Sequence, residues 1–209
     1  SYLLLKKCEF GDIHELNTLK NFSKKNNILL IDCGCNYGFY SFFVASLSKN
    51  NYVISIEASK TTAKEFEKNL ILNQFTNIYF YKKAVSNIDD QIIQFNESEK
   101  DWESSSSHDD FLSHTRVKVE TVKIDTILKS FQTNKYTLVL KLDIEGNEMK
   151  AIDGSLQIIK KYSPFIIIEF SKYIFDKSSN IEYLKYFLTV NDYSIYDINK
   201  NKKTLEDII

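Results

Sequence analysis

Ile28-Leu29-Leu30-Ile31-Asp32-Cys33-Gly34-Cys35-Asn36-Tyr37-Gly38 sets an apolar run, an acid and two glycines in direct succession. A continuous apolar run suits a strand buried on both faces of a parallel sheet. Beyond it, Phe39, Phe42, Phe43 and Leu47 fall at helical spacing, which predicts a helix over 37–49. Between the two, Gly34 and Gly38 permit a tight turn and a close backbone approach. The N-terminus of the following helix offers free N–H groups to an anion.

The same alternation continues outward. Residues 52–57 read as a second strand that again ends in an acid, Glu57. Thr62 and Glu65 form a capping-box pattern for a helix reaching about residue 73. A third strand is expected over 77–85. Shorter strands follow at 91–95 and 116–122, separated by a polar stretch, 96–115, that is long for a plain connection and reads as a lid. Next come a short helix near 124–131, a buried strand over 136–143, and a helix over 147–161 interrupted by Gly154. A core strand over 164–170, a helix near 181–190 and a strand near 193–198 complete the pattern, with a turn and a short strand at the end. Residues 1–27 read as a helical lead-in that carries His14, and 28–209 as the main domain. Strand–helix–strand repetition defines an α/β fold with a mostly parallel sheet.

Composition narrows the function. The chain has 209 residues with 43% hydrophobic and 26% charged, as in an ordinary globular domain. A net charge of −1 argues against a nucleic-acid binder. No apolar run approaches the roughly 18 residues of a membrane helix. The three cysteines, Cys8, Cys33 and Cys35, are odd in number and two of them stand one residue apart. They make no disulfide framework and point to a reducing compartment, the cytoplasm.

Ligands of open α/β sheets bind at the carboxyl ends of the strands. Asp32, Glu57, Asp143 and Glu169 all fall at such ends, so they should gather at one edge. Glu57 lies 25 residues past Asp32, and an acid there can accept hydrogen bonds from both hydroxyls of a ribose. A dinucleotide fingerprint started at Gly34 would need glycine where Asn36 and Phe39 stand, so a pyrophosphate fits poorly. A nucleoside with an amino-acid tail, such as S-adenosylmethionine, fits the loop better.

The motif Ile31-Asp32-Cys33-Gly34-Cys35-Asn36-Tyr37-Gly38 resembles the first motif of the FkbM-type methyltransferases. Ser55-Ile56-Glu57-Ala58 and Lys83-Ala84-Val85-Ser86 are similar to later segments of that family, as is 119–128 with Asp125. The most specific likeness is Leu140-Lys141-Leu142-Asp143-Ile144-Glu145-Gly146-Asn147-Glu148, followed by Gly154 and the stretch from Pro164 to Glu169. Cys35 stands where the family usually has Ala, and Ala58 where it usually has Pro. The resemblance implies a class I methyltransferase fold with a Rossmann-like sheet and S-adenosylmethionine as cofactor. It also implies methyl transfer to a hydroxyl, on a sugar, glycan precursor or small metabolite. Carried over, Asp32 and the turn residues Gly34, Cys35, Asn36, Tyr37 and Gly38 would hold the methionine end. Glu57 would hold the ribose, Ala58, Ser59 and Ala84 would border the adenine, and Asp143 would sit near the cofactor's amino group.

In-line methyl transfer requires alignment of oxygen, methyl and sulfur and removal of the hydroxyl proton. Asp143, Glu145, Glu169, His108 and His114 are candidate bases, of which Asp143, Glu145 and His108 are taken as the catalytic set. Asp143 and Glu169 could pair on a divalent ion, but without a denser ligand set no metal is expected. The expected partner is a small or sugar-like acceptor, without nucleic acid or a membrane span; oligomer formation stays open. Two alternatives remain at this stage: a nicotinamide-dependent oxidoreductase, and a nucleoside-binding module without turnover.

Overall fold

In chain order the elements are β1 (Tyr2–Lys6), α1 (Ile13–Lys25), β2 (Ile28–Cys33), α2 (Phe39–Leu47), β3 (Tyr52–Ile56), α3 (Lys60–Asn73), β4 (Ile78–Tyr81) and β5 (Ala84–Val85). They continue with β6 (Ile92–Ser98), β7 (His114–Val122), α4 (Ile124–Leu128), β8 (Thr137–Leu142), α5 (Glu148–Asp153), α6 (Leu156–Tyr162) and β9 (Phe165–Glu169). The last are α7 (Ser178–Val190), β10 (Ser194–Tyr196) and β11 (Lys202–Lys203). The computed structural model describes residues 2–6, 13–98, 114–169, 178–197 and 199–207. His108 and most of the polar stretch 96–115 lie outside the described residues.

The main sheet has eight strands in the order β11-β10-β1-β9-β8-β2-β3-β4. Neighbouring strands are parallel throughout, except for the antiparallel β10–β11 pair. Strand residues alternate between two apolar layers. Leu29, Ile31, Ile54, Ile56, Leu140 and Ile168 face one, which the helices α4 to α7 cover with residues such as Ile124, Ile152, Ile159 and Phe187. Ile28, Leu30, Val53, Val139 and Ile167 face the other, packed against Leu19 of α1 and Val44 of α2. Both faces are therefore buried, and the apolar runs follow from that.

From β2 the chain moves to β3 and β4 on one side. It then returns to β8 on the other side of β2. The order reverses between β2 and β8, so the carboxyl ends of these two strands flank the crevice where such sheets take ligands.

Several sequence expectations are refined. Residues 2–6, expected within a helical lead-in, form β1 between β9 and β10, while α1 supplies the expected helix. The third strand divides: β4 joins the main sheet, whereas β5 pairs with β7 in a small sheet of order β5-β7-β6. The cap of α3 is Ser59, whose hydroxyl accepts from Thr62 N at 3.2 Å, so the helix begins earlier than the Thr62 pattern predicted. Gly154 breaks its helix as expected. A Cβ there would lie 2.2 Å from the Ser86 carbonyl oxygen, so the bare backbone lets the β5 segment pack on the α5–α6 junction.

Candidate active site

The turn after β2 is fastened to β3. Gly34 N and Cys35 N both donate to Ile56 O, at 2.9 and 3.1 Å. Glu57, the next residue, is buried, and its Oε2 accepts from Asn36 N at 2.9 Å while Oε1 accepts from Ser59 N at 2.9 Å. Burial pushes the Glu57 carboxyl up, opposed by the N–H groups of Ser59 and Asn36. Asn36 is held at φ 49, and Gly34 and Gly38 at φ 72 and 97. The left-handed turn therefore belongs to the resting fold.

Beneath this turn a polar layer crosses three strands. Asp32 is opposite Ser55 of β3 and Lys141 of β8. Ser41 of α2 donates its hydroxyl to Asp32 Oδ2 at 2.7 Å and stands 2.7 Å from the Ser55 hydroxyl. Lys141 Nζ lies 2.9 Å from Asp143 Oδ2 and 3.7 Å from Asp32 Oδ1. The ring of Tyr40 sits below that ammonium, 4.8 Å from centroid to Nζ. Its hydroxyl donates to Glu15 of α1, which is itself fully buried. Burial pushes Asp32 up, against the opposing pull of Lys141 and Ser41. Burial alone would lower Lys141, but Asp143 and Asp32 outweigh it and the ammonium is held charged.

Asp143 follows β8, and its own backbone N donates to Cys33 O at 3.2 Å, bringing it across the crevice to Asp32. The turn Glu145–Gly146 has φ 52 and 97. It points Glu145 back, so that one carboxylate oxygen each of Asp143, Glu145 and Glu169 lie within 4.8 Å of one another. Hard cations take such oxygen sets, and so does a proton, since like charges this close favour neutralisation. The sequence reading had paired only Asp143 with Glu169. Glu148 caps the turn, its Oε1 accepting from Ile144 N and Gly146 N at 3.1 and 3.2 Å. Its Oε2 is buried without a hydrogen-bond partner. Burial pushes this carboxyl up to about 7 despite the backbone donors.

The remaining predicted residues are distributed as follows. Ala58 and Ala84 meet in a small apolar cluster with Phe95 and Val119 of the β6–β7 hairpin. Glu97 of β6 accepts from Thr61 N at 3.2 Å and from Lys60 N, pinning that hairpin to the start of α3. Tyr37 is exposed at the rim. Burial pushes the thiol of Cys35 well up, as it does that of Cys33, so neither is a reactive thiolate. Sequence reasoning missed Lys141 although a lone lysine inside the apolar run 138–142 was a visible signal. Glu15 and Ser41 give no such signal, whereas Tyr40, like Tyr37, is expected near the pocket from its place beside the glycine turn.

A strand-order reversal flanked by acids, with a glycine turn pinned by Glu57, makes the kind of crevice in which open α/β sheets take ligands. A family model, the methyltransferase FkbM domain, matches residues 32–195. The chain belongs to that family. No curated protein matches it. Solved structures resemble it at low identity. One is a Clostridium thermocellum protein provisionally assigned as an rRNA methylase (14% identity, 86% of this chain, 82% of that one, TM-score 0.48). Another is a Streptococcus mutans protein provisionally assigned as a methyltransferase, solved with S-adenosylhomocysteine (10%, 83% and 80%, TM-score 0.47). A third is an S-adenosylmethionine-dependent O-methyltransferase from Thermotoga maritima (10%, 88% and 52%, TM-score 0.44).

The protein is an S-adenosylmethionine-dependent methyltransferase, and the residues present fit that cofactor. Asp32 Oδ1 is buried with no hydrogen-bond partner. Each Glu57 oxygen accepts from a backbone N–H, Oε2 from Asn36 and Oε1 from Ser59, and a carboxylate oxygen has lone pairs for a second donor. An edge this rich in carboxylates suits a cationic ligand. Among the described residues, no helix is long and apolar enough to cross a membrane.

Proposed function

We propose that the chain transfers the methyl group of S-adenosylmethionine to a hydroxyl of a sugar, glycan precursor or small polar metabolite. The observation that carries this is the convergence of Asp143, Glu145 and Glu169 at the crevice. The cofactor, when bound, supplies the electrophilic methyl. The protein's part is to orient the acceptor and take its proton. Asp32, the 34–38 turn and Asp143 take the amino-acid end of the cofactor. Glu57 takes the ribose hydroxyls, and Ala58, Ser59 and Ala84 border the adenine. Glu145, half-buried beside Asp143 and Glu169, is the member of the trio that accepts the hydroxyl proton in this reading. Crowding among the three carboxylates favours one added proton. The reaction needs no divalent ion in this reading. The odd cysteine count, with Cys33 and Cys35 one residue apart, is the ground for proposing a reducing compartment, the cytoplasm.

Incubation with methyl-labelled S-adenosylmethionine and a panel of sugars, catechols and amines tests the reading. Label on hydroxyl oxygen, with release of S-adenosylhomocysteine, is the expected result. Label on nitrogen alone would replace O-methylation with N-methylation. Binding without turnover across the panel would favour a nucleoside-binding module.

A further inference from the structure

Lys141 has no place in the cofactor assignment as the sequence motifs give it, yet it is buried at the centre of the site with 3% of its side chain exposed. Its position is fixed from several sides. The β2–β8 ladder sets it opposite Asp32. Tyr40 supports the ammonium from below, and the hydroxyl of that ring is engaged by Glu15. Asp143 Oδ2 lies at 2.9 Å and Asp32 Oδ1 at 3.7 Å.

We propose that Lys141 is a positioning residue for the cofactor's amino-acid end: its ammonium holds the Asp143 carboxylate beside that of Asp32 and offsets their repulsion, so that the pair accepts a second ammonium, the cofactor's own. The proposal rests on the placement of that end at Asp32 and Asp143. Two carboxylates brought together without a cation share a proton, and a shared proton has to leave before another ammonium can bind. Formal charges support the same arrangement. Asp32, Asp143 and Glu15 all act on the one lysine and hold it charged. A buried ion pair kept only for stability gains little over apolar residues of the same shape, so the bridge calls for a functional reading. Among the described residues, the titratable groups around it include Glu15 of α1, Tyr40 of α2, Asp32 and Cys33 of β2, Cys35 and Glu57 in the turns that follow β2 and β3, and Asp143 and Glu148 after β8, with Glu145 and Glu169 beside Asp143.

Calorimetric titration with S-adenosylhomocysteine and with its analogue lacking the α-amino group tests this on the unmodified chain, Lys141→Arg and Lys141→Met. The unmodified chain should prefer the amino compound by roughly tenfold or more, the scale of a hydrogen bond to a charged group. In Lys141→Met that preference should fall to about threefold or less. Binding of the amino compound at pH 7 should then release about one proton more than in the unmodified chain, read from buffers of different ionisation heat. Lys141→Arg should restore most of the preference. Lys141→Gln, which keeps a donor without the charge, gives the same readings if the methionine variant does not fold. A folded Lys141→Met or Lys141→Gln with unchanged preference and proton count would overturn the role of Lys141 alone. Absence of any preference in the unmodified chain would remove the placement at Asp32 and Asp143, and the proposal with it.

Discussion

The carbonyl oxygen of Asp143 occupies the space where a side chain on Gly34 would begin: a Cβ there would lie 1.9 Å from it. The glycine of the first motif is thus needed for contact with the turn after β8, not only for contact with a ligand. Because Asp143 N also donates to Cys33 O, the two turns that flank the crevice are interlocked through their backbones. The positive φ of 72° at Gly34 adds a second cost to any side chain.

Gly34→Ala should therefore push Asp143 away from Asp32. A strained residue costs on the order of 1–3 kcal/mol before the clash is counted. For a chain of this size that lowers Tm by roughly 5 °C or more. Scanning calorimetry checks the stability. Cofactor affinity should fall about tenfold or more, since the cofactor's amino-acid end loses one wall. Wild-type Tm together with wild-type affinity would show the two turns to be independent.

Glu148 should make stability depend on pH. Its ordinary value is 4.5, and burial pushes it up to about 7 in the folded chain. Between those values the folded state holds a proton that the unfolded state has released. Its contribution is thus full below about 4.5, declines as pH rises, and is gone above about 7, a loss of at most about 3 kcal/mol. Glu148→Gln cannot ionise and still offers an oxygen to Ile144 N and Gly146 N. The fall in Tm between pH 5 and pH 8 should be smaller in that variant than in the parent. Equal pH slopes would contradict the account of this carboxyl.

Chelation tests the carboxylate trio. If Asp143, Glu145 and Glu169 serve a proton, exhaustive treatment with a chelator should leave turnover unchanged. Loss of activity restored by Mg²⁺ or Ca²⁺ would make the same trio a metal site, whose oxygens within 4.8 Å of one another are suited to such ions.

Much of this site was readable in the sequence because strand ends and glycine turns are local features. Asp32, Glu57 and Glu169 could be placed at strand ends from apolar runs alone, and the topology brought them to one edge. Gly154 marked its helix break for a similar reason, as a local departure from pattern. What escaped depends on contacts between distant segments. β1 carries a short apolar stretch, Tyr2–Lys6, but its partners are β9 and β10, far along the chain. Glu15 reads as a surface residue of an amphipathic helix until Tyr40, 25 positions on, takes its carboxylate. Glu97 lies in a polar stretch, yet it is buried and accepts from the first N–H groups of α3, at Lys60 and Thr61. Lys141 was the exception, a charge inside an apolar strand whose misfit was visible before its partners were.

Binding of S-adenosylhomocysteine to Glu57→Ala, followed by calorimetry, addresses the central claim most directly. Glu57 fastens Asn36 and Ser59, and in the proposed reading it also receives two ribose hydroxyls. Loss of hydrogen bonds to a charged acceptor costs about 2–4 kcal/mol, which lowers affinity by roughly one to three orders of magnitude. The account predicts that loss in a variant whose circular dichroism remains that of the parent. An affinity equal to the parent's in that folded variant would contradict it and move the cofactor away from the carboxyl end of β3.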